Sequence, residues 1–257
     1  MTTEHNHHDK VKQQFGEQAN AYLTSMVHAQ GADLQQLGQL LNNYPEACLL
    51  DLGCGAGHVS FLAAQAVQSV TAYDLSDEML KVVSDTASKR GLENIVTKQG
   101  IAEKLPFIDQ TFDIVTSRYS LHHWRDVGMA LHEAARVLKP GGKLFLIDVV
   151  SPGNPVLDIW LQTVEALRDT SHVRDYCASE LIRYLGEAGF IMDGSYSYRL
   201  HLQFDSWVKR MRTPQSLITA IREYQISASQ ETQQYFELCQ DGSFTSDTLL
   251  IEATRKL

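Results

Sequence analysis

One stretch limits what this chain can fold into more than any other: Leu49-Leu50-Asp51-Leu52-Gly53-Cys54-Gly55-Ala56-Gly57-His58-Val59-Ser60. An apolar run carries an acid near its end, three glycines follow at every second position, and helical periodicity then begins. This reads as strand, tight turn and helix. Glycine lets the turn backbone take φ > 0 and approach a ligand closely. The first N–H groups of the helix have no intrahelical partners and face whatever sits over the turn. The pattern is that of a nucleotide-type loop.

The segments around it alternate. Cys48–Leu52 reads as a first strand and Val70–Tyr73, ending at Asp74, as a second. Ser76 is placed to cap a helix that runs to Gly91, with Asp77 and Glu78 in its first turn where acids suit the dipole. Ile95–Gly100, Phe112–Ser117 and Lys143–Val150 supply three more strands, and Val127–Leu138 has helix spacing. Short apolar strands alternating with helices predict a doubly wound, mostly parallel sheet. Right-handed crossovers then place a ligand at the strands' carboxyl ends. Those ends carry Gly53, Asp74, Gly100, Ser117 and Asp148.

Outside this core the texture changes. Residues 11–43 read as helical, and the first part, with Phe15, Tyr22 and His28, either packs on the core edge or closes over the site as a lid. Beyond Ser151-Pro152-Gly153-Asn154-Pro155 come a helix over 156–168 and a second capped by Ser179. A strand from Phe190 to Tyr198, mostly helical residues 205–240 and a last strand Phe244–Ala253 complete the chain. The expectation is a seven-stranded α/β sheet in one domain, 1–257: a helical lid over 1–44, the core over 45–150, and substrate-side helices with the final strands over 151–257.

With 44% hydrophobic and 21% charged residues, the 257-residue chain has the makeup of a folded core. A net charge of −9 would repel a phosphate backbone, and the densest basic cluster, Lys209-Arg210-Met211-Arg212, is short, so no nucleic-acid partner is expected. The four cysteines show no paired spacing for a disulfide framework or zinc. No apolar run approaches the roughly 20 residues of a membrane span, and the polar N-terminus has no signal-peptide pattern, so a cytoplasmic setting is expected. His5, His7 and His8 lack a further ligand and read as a disordered tail; no metal is expected.

The dinucleotide fingerprint is G-x-G-x-x-G, whereas here the spacing is G-x-G-x-G. Asp51, two residues before the first glycine, would face a pyrophosphate badly but suits an ammonium group. Asp74, 23 residues after Asp51, ends strand two, where an acid accepts the hydroxyls of a ribose. The ligand should therefore carry a ribose, a cationic amine and no phosphates. S-adenosylmethionine (SAM) meets that description, and a nicotinamide oxidoreductase is disfavoured.

Leu50–Gly57 resembles the first motif of class I SAM-dependent methyltransferases, and Ala72–Leu80 their second. Ala102–Phe107, Thr111–Val115 and Arg136–Gly142 resemble the following segments in the expected order. Within that superfamily the chain is most similar to the ubiquinone/menaquinone biosynthesis methyltransferase-like group. The stretches Ser117–Trp124 and Leu167–Arg174 resemble a bacterial branch described only as methyltransferases.

The resemblance implies a Rossmann-like fold whose last strand is antiparallel, SAM as cofactor and S-adenosylhomocysteine as product. It implies that Gly53, Gly55 and Gly57 hold the methionine portion, with Asp51 near its amine and Asp74 on the ribose. Leu75 and Met79 would sandwich the adenine, Ala102 would offer its N–H to it, and Ser117 and Arg118 would close the methionine side. Many relatives carry Asp where Ile101 stands; losing that hydrogen bond costs about 1 kcal/mol.

Methyl transfer from a sulfonium needs alignment in a dry pocket, and a base only when the nucleophile is protonated. Candidate bases are His122, His123 and Asp148; the histidines also read as a helix-start pair that positions Trp124. Arg168, His172 and Arg174 either bind an acidic substrate or pair with Asp169 and Asp175. Ser117-Arg118-Tyr119-Ser120 lacks the prolines of nucleic-acid amino-methyltransferases, which favours a small-molecule acceptor. The residues do not choose among C-, N- and O-acceptors, nor set the oligomeric state. A SAM-binding sensor or interaction protein without turnover is the alternative reading.

Overall fold

The structure, a computed structural model, describes residues 3–16 and 31–257. Its elements in chain order are α1 (Thr3–Gly16), α2 (Ala32–Leu41), β1 (Cys48–Leu52), α3 (His58–Ala63), β2 (Ser69–Asp74), α4 (Asp77–Arg90) and β3 (Ile95–Gln99). They continue with β4 (Phe112–Arg118), a 3-10 turn (Leu121–His123), α5 (Val127–Val137), β5 (Leu138–Val150), α6 (Pro155–Arg168), α7 (Ala178–Glu187) and β6 (Phe190–Leu202). The last are α8 (Phe204–Arg210), α9 (Gln215–Ile226), α10 (Gln230–Tyr235) and β7 (Phe244–Arg255).

The seven strands form one sheet in the order β3-β2-β1-β4-β5-β7-β6. β1 to β5 pair in parallel, and β7 runs antiparallel to both β5 and β6, as expected. Period-two alternation divides each central strand between two layers. Leu50, Leu52, Val115, Leu144 and Leu146 pack with α5, while Leu49, Ile114, Phe145 and Ile147 pack with α2 and α3. Each fully buried aliphatic side chain contributes about 1.5–3 kcal/mol. The chain starts at mid-sheet, winds out to β3 and returns to β4 across β1, so a crevice opens at the carboxyl ends of β1 and β4.

Local boundaries differ from expectation for identifiable reasons. β5 begins at Leu138, directly after α5, because Leu138 pairs with Phe112 before the Pro140-Gly141-Gly142 irregularity. Gly142 is required there: a Cβ would stand 2.8 Å from Lys139 O. α7 begins at Ala178 with Cys177, not Ser179, as its N-cap, since the Glu180 carboxylate takes the Cys177 N–H at 2.9 Å. β6 runs four residues past Tyr198, its register with β7 extending to Leu202 opposite Phe244. That extension carries a third apolar cluster, in which Trp160 and Leu161 of α6 meet Trp207, Ile221, Phe236 and Phe244. The helices between β6 and β7 are thereby anchored beside the sheet.

Residues 3–16 are a helix packed on the protein, so the expected disordered tail is corrected: His7 Nε2 donates to His123 O at 3.1 Å, and Gln14 Nε2 to Met211 O at 2.7 Å. Tyr22 and His28 lie outside the described residues.

Candidate active site

The glycine turn is tied down by the strand beside it. The N–H groups of Gly53 and Cys54 both donate to Tyr73 O, at 2.8 and 3.0 Å. Gly53 has φ 71°, and a Cβ there would stand 1.9 Å from Ser120 Oγ, so only glycine fits. A Cβ on Gly55 would project into open space, which leaves the turn backbone bare towards the cleft.

Asp74 accepts from Gly55 N at 2.8 Å and from Ser76 N at 2.9 Å, and burial raises its carboxyl above the usual range. Ser76 caps α4 as expected, accepting from Met79 N. Asp51 accepts from Ser60 Oγ at 2.6 Å and from Thr116 Oγ1 at 3.2 Å. Burial pushes Asp51 up to about 6 against the pull of those two bonds, and the Asp74 charge adds to the rise.

These groups lie in one cleft at the crevice, with about 1080 Å³ free of protein atoms, mouth included. Asp51, Gly53, Gly55, Asp74, Leu75, Met79, Ile101, Ala102 and Arg118 all line it. Gly57 and Ser117 do not. Gly57 (φ 89°) turns the chain into α3 with its Cβ position against Phe61 and Val83, and Ser117 is buried within β4. The Ile101 carbonyl accepts from Tyr73 Oη at 3.0 Å. Arg118 has its side chain buried, with Nε donating to Asp33 Oδ2 at 2.5 Å.

The first helix, read from the sequence either as core-edge packing or as a lid, borders this cleft. His8, Val11, Lys12 and Phe15 of α1 line the cleft, and Lys12 Nζ reaches Asp77 Oδ2 at 3.4 Å. His8 Nε2 stands 3.9 Å from the Glu103 carboxylate, which also lines the cleft. The i, i+4 spacing of Val11 and Phe15 carried that helix in the sequence, whereas His8 and Lys12 were not read as site residues. Trp124 and Ser120 were missed as well, and they join through Trp124 Nε1 donating to Ser120 Oγ at 3.1 Å.

A second cavity, with about 560 Å³ free of protein atoms, shares Phe15, Tyr119 and His123 with the first. His122 and Arg168 line it. Two other predicted residues do not. Asp148 stands behind His122, accepting from its Nδ1 at 2.6 Å, and His172 Nε2 is hydrogen-bonded to Gln162 Oε1 at 3.1 Å. Burial pulls the His122 imidazole down, but the Asp148 carboxylate outweighs it and lifts the group to about 9. Burial and the His122 charge hold His123 well below its ordinary value, and its Nδ1 donates to Ser171 O at 3.2 Å. Arg168 pairs with Glu165 at 3.1 Å and Arg174 with Asp158 and Glu180, rather than with Asp169 and Asp175.

The cleft suits the ligand chemistry read from the sequence. It offers a bare backbone at Gly55, two carboxylates at strand ends and no cation within the turn itself. Residues 50–146 match the family model described as a methyltransferase domain. The chain belongs to the SAM-dependent methyltransferases, and S-adenosylmethionine is the cofactor.

Within that family the chain is 58% identical over 201 residues to the uncharacterized protein YafE of Escherichia coli, covering 78% of this chain and 97% of that one. It is 36% identical to the uncharacterized methyltransferase YcgJ of Bacillus subtilis, covering 94% of this chain and 98% of that one. The crystal structure of YcgJ superposes with a TM-score of 0.81 at 35% identity over 88% of this chain and 98% of that one. Likeness to the demethylmenaquinone methyltransferase of Chlorobaculum parvum, 36% over 113 residues, covers only 44% of this chain and 45% of that one.

Proposed function

We propose that the protein transfers the methyl group of S-adenosylmethionine to a small molecule bound in the second cavity. The observation that carries this reading is the shared wall: Phe15, Tyr119 and His123 border both cavities. In this reading residues 1–257 act as one unit, with the N-terminal helix as lid.

When bound, S-adenosylmethionine supplies an electrophilic methyl group on a sulfonium. Asp74 would accept its ribose hydroxyls and Asp51 would face its ammonium group. Leu75 and Met79 would flank the adenine, with the Ala102 N–H towards a ring nitrogen. The turn at Gly53 and Gly55 would cradle the methionine portion, and α1 excludes water from above. Methyl transfer forms a bond from the acceptor's nucleophilic atom to the methyl carbon as the carbon–sulfur bond breaks. The electron pair stays on sulfur, and any acceptor proton leaves to a base or water. Alignment in a water-poor site supplies several kcal/mol of the barrier reduction. The chain's negative charge supports an acceptor other than nucleic acid.

The test is incubation with methyl-labelled SAM and a fractionated metabolite extract. Label is expected in a product of small-molecule size. Label moving only into protein or nucleic acid, or no transfer despite tight S-adenosylhomocysteine binding, would overturn the reading.

A further inference from the structure

Tyr73 holds two separate parts of the cofactor cleft. Its main-chain carbonyl accepts from Gly53 N at 2.8 Å and from Cys54 N at 3.0 Å, which fixes the glycine turn. Its side chain reaches the loop after β3, where Tyr73 Oη donates to Ile101 O at 3.0 Å, with Lys104 O further off at 3.5 Å. The residue is 1% exposed. Gly100 makes room for it, since a Cβ there would stand 1.9 Å from Tyr73 Oη. Burial, helped by the charges of Glu103 and Glu133, raises the phenol, so it keeps its proton and donates.

Ile101 C=O and Ala102 N–H belong to one trans, planar peptide and point in opposite directions. Holding the carbonyl on Tyr73 therefore fixes the direction of the Ala102 N–H, away from the phenol. Ala102 lines the cleft, and its N–H has no hydrogen-bond partner among the described residues. An N–H so placed calls for an acceptor from the cleft. Ile101 has no polar side-chain atom, so this peptide is what residues 101 and 102 offer to a base. Further along the loop, Arg136 holds Leu105 O at 2.9 Å and Phe107 O at 2.8 Å, and Glu133 takes Leu105 N at 2.8 Å. None of these bonds reaches the Ile101–Ala102 peptide, whose carbonyl otherwise has only Lys104 N at 3.3 Å.

Building on the reading that the Ala102 N–H meets a ring nitrogen of the adenine, we infer that Tyr73 is a positioning residue for that contact. Its hydroxyl sets the Ile101–Ala102 peptide so that the N–H faces the base. With its carbonyl on the glycine turn and its hydroxyl on the loop after β3, the same residue sets the spacing between the methionine and adenine ends of the cofactor.

The experiment measures, by calorimetry on the full chain, the affinities for S-adenosylhomocysteine and its 1-deaza, 3-deaza and 7-deaza analogues. Each analogue replaces one accepting ring nitrogen with C–H and keeps the rest of the molecule. In the wild type one analogue should bind about tenfold more weakly, the loss of one buried acceptor. In Tyr73→Phe the affinity for S-adenosylhomocysteine should fall about fivefold while that for the discriminated analogue holds, so that discrimination shrinks to about twofold. Gly100→Ala, whose Cβ would displace the hydroxyl, should narrow it in the same way, and carries the test if Tyr73→Phe does not fold.

A hydroxyl that only stabilises the loop would lower every affinity by one factor and leave the discrimination tenfold. That result would overturn the inference. Equal binding of all four ligands by the wild type would remove the Ala102 contact, and the inference with it. Tight binding of S-adenosylhomocysteine and label transfer in the extract assay report on the methyltransferase reading separately, and either failure above would leave that reading standing.

Discussion

His122 Nδ1 donates to Asp148 Oδ1 at 2.6 Å, joining the turn after β4 to the end of β5 at the wall of the second cavity. Burial alone would keep this imidazole neutral; the carboxylate reverses that and lifts it to about 9. A group raised above its unfolded value of about 6.5 stabilises the fold fully below that pH and loses the contribution as pH rises through about 9. NMR titration of His122 should therefore show a midpoint near 9. In Asp148→Asn the largest pull opposing burial is gone, with only the weaker Asp175 and Glu165 charges left, and the midpoint should fall well below the wild-type value. A wild-type midpoint in the ordinary histidine range would sink the pairing.

Asp51 gives a pH dependence of the same sign in a lower window. Its folded carboxyl is raised to about 6, so the fold favours the protonated form and loses that contribution as pH rises from about 4 through 6. An ammonium group beside it favours the ionised form. Binding of S-adenosylmethionine at pH 6 should then release protons, with none released at pH 8. Calorimetry in buffers of different ionisation enthalpy measures this directly, and zero release at pH 6 would place the ammonium elsewhere.

Asp74 has both oxygens hydrogen-bonded to backbone, yet the residue lines the cleft. Each oxygen keeps a lone pair for a ribose hydroxyl. Asp74→Ala should weaken S-adenosylhomocysteine binding about a hundredfold, the loss of two charge-assisted bonds. Wild-type affinity in that variant would falsify the ribose assignment.

The roof is tested by removing residues 1–16. His8, Val11, Lys12 and Phe15 then no longer cover the cleft. The dissociation constant for S-adenosylhomocysteine should rise about tenfold, comparable to uncovering one apolar side chain. The apo protein should still unfold cooperatively, because α1 has no residue in either cluster that packs the two faces of the sheet. Unchanged affinity would show that α1 only rests on the surface.

Much of the cofactor cleft was readable from local signals. Strand, turn and helix around Gly53 and Gly55 follow from residues adjacent in the chain, and so does the Ser76 cap of α4. Asp74 was readable because the end of the neighbouring parallel strand must reach the same sheet edge. Gly57 and Ser117 were read as ligand contacts, but one aims the helix and the other sits within a strand. Motif spacing identifies such positions without saying which way each points.

The acceptor side was far less legible. Phe15, His122, Arg168, Asp175, Leu202 and Trp207 meet in one cavity although nearly two hundred residues separate the first from the last. His172, read as a substrate ligand, turns to Gln162 because α6 passes beside it.

The sequence by itself determined the sheet, the glycine turn and the two acids at its edge, because periodicity, glycine conformation and strand ends are properties of neighbouring residues. Only the tertiary structure decided where α1 lies, which partners silence His123 and His172, and that Asp169 and Asp175 share a buried wall. Burial and charge pairing depend on what distant segments bring within a few ångströms, and no local pattern records that.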